Sequence, residues 1–212
     1  MESLLDVLRT LRAPDGCPWD RAQTHESLRA HLLEEAAEAV DALGGGVESE
    51  MIEELGDVLL HVAFHAVIAE EEGRWTLDEV ERRLVEKLIR RHPHVFADAS
   101  AESVEDVEVT WQQVKEAERG DVPRDPADGV PDGLPALARA AGLAKALDWS
   151  EPEGALARAA GGANDATVLA DAFIALAIRA ERAGLAPELL VRDALRERLS
   201  VRDAPSEDGA PT

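Results

Sequence analysis

The stretch from Met51 to Ala69 constrains this chain most. Met51, Ile52, Leu55, Val58, Leu59, Leu60, Val62, Ala63, Phe64, Ala66 and Val67 make it apolar on nearly every side, and a helix of that kind is a buried helix. Yet Glu50, Glu54, Asp57, His61 and His65 recur at steps of four, three, four and four. At about 100° per residue they share one stripe roughly 80° wide. Glu53 lies beside the stripe and is expected to face water. Uncompensated buried carboxylates are very costly, so the stripe needs a partner.

The preceding stretch brings more carboxylates. Glu34, Glu35, Glu38 and Asp41 stand on a predicted helix whose core face is Leu28, Leu32, Ala36, Ala39, Val40 and Leu43. Gly44-Gly45-Gly46 is short enough to fold the two helices into an antiparallel hairpin. That sets the Glu35/Glu38 side against the Glu54/Asp57 side, with Arg29 and Arg74 the nearest bases in sequence. Facing like charges need cations, and hard divalent ions take oxygen ligands, which points to Mg²⁺ or Mn²⁺. A solvated acidic face remains the other reading of the first helix alone. His61 and His65 read as core or supporting histidines rather than ligands.

Glu34-Glu35-x-x-Glu38 followed by Glu54-x-x-Asp57 resembles the signature of the MazG family of nucleoside triphosphate pyrophosphohydrolases. Three more segments are similar to family motifs and stand in the family's order over residues 1 to about 118. They are Gly16-Cys17-Pro18-Trp19-Asp20 with Gln23-Thr24, Arg90-Arg91-His92-Pro93-His94-Val95-Phe96, and Trp111-Gln112-Gln113-Val114-Lys115. The resemblance implies an all-α protein with a four-helix-bundle catalytic half. It implies hydrolysis of a nucleoside triphosphate to the monophosphate and pyrophosphate, as part of clearing unwanted nucleotides. Mg²⁺, or Mn²⁺, is then held by Glu35, Glu38, Glu54 and Asp57, and Glu34 orients or deprotonates a water. Lys87, Arg91 and Lys115 steady the triphosphate, while Trp19, Gln23 and Trp111 touch base or sugar. A homodimer is expected, since the family usually completes its site across one.

Other readings stay open on the residues alone. Trp19 can wall a base or plug the end of a bundle, and a lone Gln23 is commonly a surface residue. Lys87, Arg90 and Arg91 suit a helix C-terminus as well as a phosphate clamp. Trp111 can be core and Lys115 surface. A non-catalytic helical dimer that senses nucleotides or binds a partner is the rival function. A dUTPase-like or phosphoribosyl-ATP pyrophosphohydrolase on the same scaffold is another.

In chain order, 2–12 reads as a helix ended by Pro14-Asp15-Gly16, with Pro18 and Trp19 extended after it. Thr24 is the expected N-cap of the helix to Leu43. Thr76-x-x-Glu79 is a capping box for a helix to Arg91, with Leu77, Val80, Leu84 and Leu88 inward, and His92-Pro93 stops it. Ser103-x-x-Asp106 starts a helix to about Arg119. The catalytic domain is thus expected at 1–119. Prolines, glycines and aspartates make 120–135 a linker. Residues 136–199 read as a degenerate helical repeat, because Val168 to Ile174 can be laid over Glu54 to Leu60 at an offset of 114. Val168 stands where Glu54 stands and only Asp171 keeps its acid, so this copy is expected to pack without binding metal. Residues 200–212 read as a disordered tail.

The chain has 44 acids against 22 bases and a net charge of −22. That argues against duplex nucleic acid and anionic membranes as partners, since both want basic patches. One cysteine excludes an intrachain disulfide framework and fits a reducing cytoplasm. No secretory signal or membrane-spanning run is expected.

Overall fold

The computed structural model describes residues 3–119, 125–162 and 165–202. It is all-α, with no strand among those residues. Residues 1–121 and 122–212 form two compact units.

The first unit contains α1 (Leu4–Arg12), α2 (Pro18–Ala22), α3 (Arg29–Gly45), α4 (Glu48–Glu71), α5 (Leu77–Arg91), α6 (Pro93–Phe96) and α7 (Val104–Arg119). Ser3 and Asp6 cap α1 reciprocally, each side chain accepting the other's backbone N–H. The core joins Leu8 of α1, Leu28, and Ala63, Phe64, Val67 and Ile68 of α4. Arg9 and Arg12 bind Glu70 and Glu71 at 3.0 and 2.6 Å, which ties α1 to the end of α4. Between α3 and α4, Gly46 adopts a left-handed φ of 74° and donates its N–H to the Ala42 carbonyl. A glycine takes that conformation without a Cβ penalty, which closes the hairpin.

Several expectations need correction. Pro18 and Trp19 are not extended but open the short α2, because a proline's fixed φ suits the first helical position. Thr24 does not cap α3. It exchanges hydrogen bonds with Ser27 and caps the single turn that precedes α3. In α3 the buried residues are Ala39 and Ala42, while Val40 and Leu43 are exposed. The apolar run of α4 is buried only from His61 onward; Ile52, Leu55 and Leu59 are 67%, 49% and 54% exposed. In α5, Val80, Leu84 and Leu88 are likewise uncovered. Hydrophobic periodicity finds an apolar face but not the chain that covers it.

Gly16 follows α1 where the backbone turns back on itself, with the Cys17 amide donating to the Leu11 carbonyl at 2.7 Å. A Cβ there would lie 2.3 Å from the Leu11 carbonyl oxygen and 2.5 Å from that of Thr10. Gly16→Ala is therefore expected to destabilise the first unit by about 1–3 kcal/mol, the usual cost of overpacking against atoms that cannot yield. Urea unfolding of the two proteins checks this.

The second unit holds a 3₁₀ turn (Pro126–Gly129) and α8 (Ala136–Leu147), α9 (Ala155–Ala160), α10 (Ala166–Arg182) and α11 (Pro187–Arg202). Its buried residues are almost all alanines, including Ala141, Ala144, Ala172, Ala175 and Ala177, with Ile178. Within the stretch read as linker, Val130 packs on Gly142 of α8, where a Cβ would come within 3.1 Å of it. Residues 120–124 lie outside the described residues. So does 203–212 of the expected tail, whereas α11 continues to Arg202. Asp165 caps α10 by accepting the Val168 N–H at 3.0 Å. Asp171 pairs with Arg158 at 3.6 Å. Leu169, Phe173 and Leu176 are exposed on α10, and each follows an exposed residue of α4, Leu55, Leu59 or Val62, by 114 positions.

Candidate metal centre

The tight turn at Gly46 brings α4 back along α3. Glu35 and Glu38 stand three apart on α3 and so share a face. Together with Glu54 of α4 they bring one carboxylate oxygen each within 4.8 Å of the others. Glu38 is exposed and Glu35 partly buried, as is Glu54. The Oε2 of Glu54 is buried and has no hydrogen-bond partner. Burial pushes its pKa above the ordinary carboxylate value, and repulsion from Glu38, Asp57, Glu35 and Glu53 pushes it further. Asp57 lies one turn along α4, near enough to act on Glu54 but outside the three-carboxylate cluster. Glu34 and Glu50 are exposed and also outside it. Oxygen-only donors with one deep oxygen left unpartnered fit a hard divalent cation.

Beyond the carboxylates, the stripe continues as histidines. His61 is buried with no partner at Nδ1. Burial lowers its pKa, Glu35 and Asp57 oppose that, and His31 adds to it. His65 meets His25, Nδ1 to Nδ1, at 2.8 Å. Sequence reasoning singled out His61 and His65 but missed His25, which lies in a turn without periodic signal, and His31, which stands four residues before Glu35 on α3.

The remaining predicted residues fall into separate groups. Trp19 is half exposed and meets His31 edge-on at 6.0 Å. Gln23 donates to the Trp19 carbonyl at 3.0 Å and accepts from the Ser27 hydroxyl at 2.7 Å, so its amide is held by the protein's own groups. On α7, the Lys115 ammonium lies 5.0 Å from the Trp111 ring centroid, and His92 meets that ring edge-on at 5.6 Å. Trp111 Nε1 is buried without a partner. Lys87 is exposed on α5. Arg91 and Arg90 both donate to Glu118 of α7, at 2.7 and 2.6 Å, and hold its carboxyl down at about 2. The basic end of α5 thus has a carboxylate partner across the α5–α7 packing.

The site is thus an all-α hairpin on which three carboxylates converge. Residues 23–96 match the MazG nucleotide pyrophosphohydrolase domain. The chain is 43% identical over 158 residues to a nucleoside triphosphate pyrophosphohydrolase/pyrophosphatase MazG of Thermotoga maritima, covering 72% of this chain and 60% of that protein. It is 47% identical over 139 residues to the uncharacterized protein YabN of Bacillus subtilis, covering 66% of this chain and 28% of that one. An uncharacterized 26.1 kDa protein of Streptomyces cacaoi is 41% identical over 198 residues, covering 90% of this chain and 77% of its own length. The chain belongs to the MazG family. It spans about three fifths of the Thermotoga protein and just over a quarter of YabN. Among the described residues no helix is long and apolar enough to cross a membrane.

Proposed function

We propose that this chain hydrolyses nucleoside triphosphates to the monophosphate and pyrophosphate, with Mg²⁺ or Mn²⁺ held by Glu35, Glu38, Glu54 and Asp57. The observation that carries the reading is the convergence of Glu35, Glu38 and Glu54 carboxylates within 4.8 Å, with a buried, unpartnered oxygen on Glu54, in a chain of this family. The relative from Thermotoga is named for this reaction. A divalent cation at such a site neutralises phosphate charge and makes a bound water more acidic. The protein's own groups do the rest. Glu34, exposed beside Glu35, orients the attacking water and accepts its proton. Lys87 and Lys115 meet phosphate oxygens, and Arg91 exchanges Glu118 for them when substrate enters. Trp111, Trp19 and Gln23 contact the base or sugar, with Trp111 Nε1 as an available donor.

The active unit is a homodimer. Ile52, Leu55 and Leu59 on α4 and Leu84 and Leu88 on α5 are exposed in one chain, and a second copy would cover them. Residues 136–199 form a non-catalytic degenerate repeat, and the enzyme works in the cytoplasm on the nucleotide pool. The test is a panel of canonical and damaged triphosphates, with products read by ³¹P NMR in Mg²⁺ and in chelator. One pyrophosphate per monophosphate from at least one substrate, only with metal, is expected. Nucleotide binding without turnover across the panel would instead make the chain a sensing module.

A further inference from the structure

His25 and His65 stand 40 residues apart in sequence and meet ring to ring. Their Nδ1 atoms are 2.8 Å apart, with ring centroids at 5.0 Å and planes 13° apart, so the two rings lie edge to edge and nearly coplanar. Such a contact needs a proton on one nitrogen and a lone pair on the other. Arg74 decides which. Its guanidinium is always a donor, and it reaches Nε2 of His25, so that nitrogen accepts. A neutral His25 then carries its proton on Nδ1 and donates it to Nδ1 of His65. His65 must keep its own proton on Nε2. Trp75 stacks against His25 at 6.0 Å and adds to the assembly. Charging His25 would set an N–H against the Arg74 donor. Charging His65 would set two N–H groups face to face.

The location gives the pair its consequence. His25 sits in the single turn capped by Thr24, and the turn ends at Leu28, a core residue 1% exposed. From Leu28 the chain runs straight into α3, which carries Glu35 and Glu38. His65 lies on α4, which carries Glu54. We propose that the His25–His65 hydrogen bond is a pH-dependent clasp: the two are positioning residues that hold the start of α3 against α4 only while both rings are neutral. In this way they set Glu35 and Glu38 opposite Glu54. What those carboxylates then do rests on the function proposed above, but the clasp itself does not.

The surroundings favour a neutral His65. Burial pushes His65 below the ordinary histidine value, and charge on His25 or His61 would push the same way. Arg74, on the other side of His25, is paired to Glu72. From α1, Arg9 and Arg12 are taken up by Glu70 and Glu71. From α3, His31 and Glu35 act on His61. In the turn, Glu26 pairs with Arg29. At the start of α5 stand Asp78 and Glu79, the latter held by Arg82 and Arg83. Among the described residues neither ring of the pair is hydrogen-bonded to a carboxylate. With its folded-state pKa lowered, His65 binds fewer protons folded than unfolded. The clasp therefore contributes fully above about pH 6.5 and is lost as pH falls below it.

The test uses the full chain without substrate. Long-range ¹H–¹⁵N spectra of ¹⁵N-histidine protein report tautomers, and hydrogen exchange by mass spectrometry reports residues 24–33. At about pH 8 we expect His25 protonated at Nδ1 and His65 at Nε2. At about pH 5.5, exchange of 24–33, corrected for its intrinsic rate, should rise about tenfold, the scale of one hydrogen bond. His65→Phe keeps an aromatic ring at this position and removes the acceptor, so its 24–33 peptide should exchange fast at both pH values. A His25 proton on Nε2, or exchange of 24–33 in the unsubstituted chain that does not change with pH, would overturn the clasp. Should His65→Phe fail to fold, the unsubstituted chain decides alone. Loss of turnover with these tautomers intact would count against the enzymatic reading only.

Discussion

Glu54→Gln is expected to cut triphosphate turnover by more than about a hundredfold, the scale for removing one group preorganised around developing charge. The same substitution should raise the melting temperature of the metal-free chain. The two effects have one cause. Glu54 faces Glu38, Asp57 and Glu35 and has a buried oxygen with no partner, so its charge opposes folding while it prepares a cation site. A glutamine of the same shape removes the repulsion and a ligand together, trading function for stability. Glu38→Gln and Asp57→Asn should lose most activity by the same route with helicity unchanged. Steady-state rates and thermal scans in chelator check both halves. A Glu54→Gln protein that turns over normally, or melts lower without metal, contradicts the assignment.

Divalent metal should raise the melting temperature at about pH 7.5, and the gain should shrink as pH falls toward about 5, where carboxylates begin to protonate. The sign follows from Glu54. Its folded-state pKa lies above the ordinary value, so its contribution to stability is present when protonated and is lost as pH rises through the folded pKa. At neutral pH the metal-free hairpin therefore carries unrelieved repulsion. A ligand that binds only the folded state at a hundred times its dissociation constant contributes about 2.7 kcal/mol. For a chain of this length each kcal/mol moves the midpoint by about 2–4 °C, so a shift of several degrees is expected. Monovalent salt at matched ionic strength should not reproduce it, because screening reaches the buried Oε2 of Glu54 only weakly. Equal gains at both pH values would return these acids to a solvated face.

The acidic hairpin was legible in the sequence because its signals are local. The spacing of Glu35, Glu38 and Glu54, the glycines at 44–46 and the His92-Pro93 stop each act within a few residues. The Ser103/Asp106 cap is of the same kind and forms both of its hydrogen bonds. Signals that depend on distant partners were not legible. Nothing local in Arg91 announces Glu118, 27 residues on. Nothing in His25 announces His65. The apolar first half of α4 reads the same whether its own chain or another copy covers it, and within one chain it is exposed. Asp57 sits at the right spacing, yet it lies outside the tight cluster. Proline at position 18 reads as a breaker until the turn before it sets it at a helix start.

A divalent cation is expected between α3 and α4, held by Glu35, Glu38, Glu54 and Asp57. Mn²⁺ titration followed by electron paramagnetic resonance, on the unsubstituted chain and on Glu38→Gln, tests it most directly. Saturable binding to the unsubstituted chain that is lost or weakened at least about tenfold in Glu38→Gln is the predicted result. Equal binding by the two proteins, or no saturable binding by either, would contradict it.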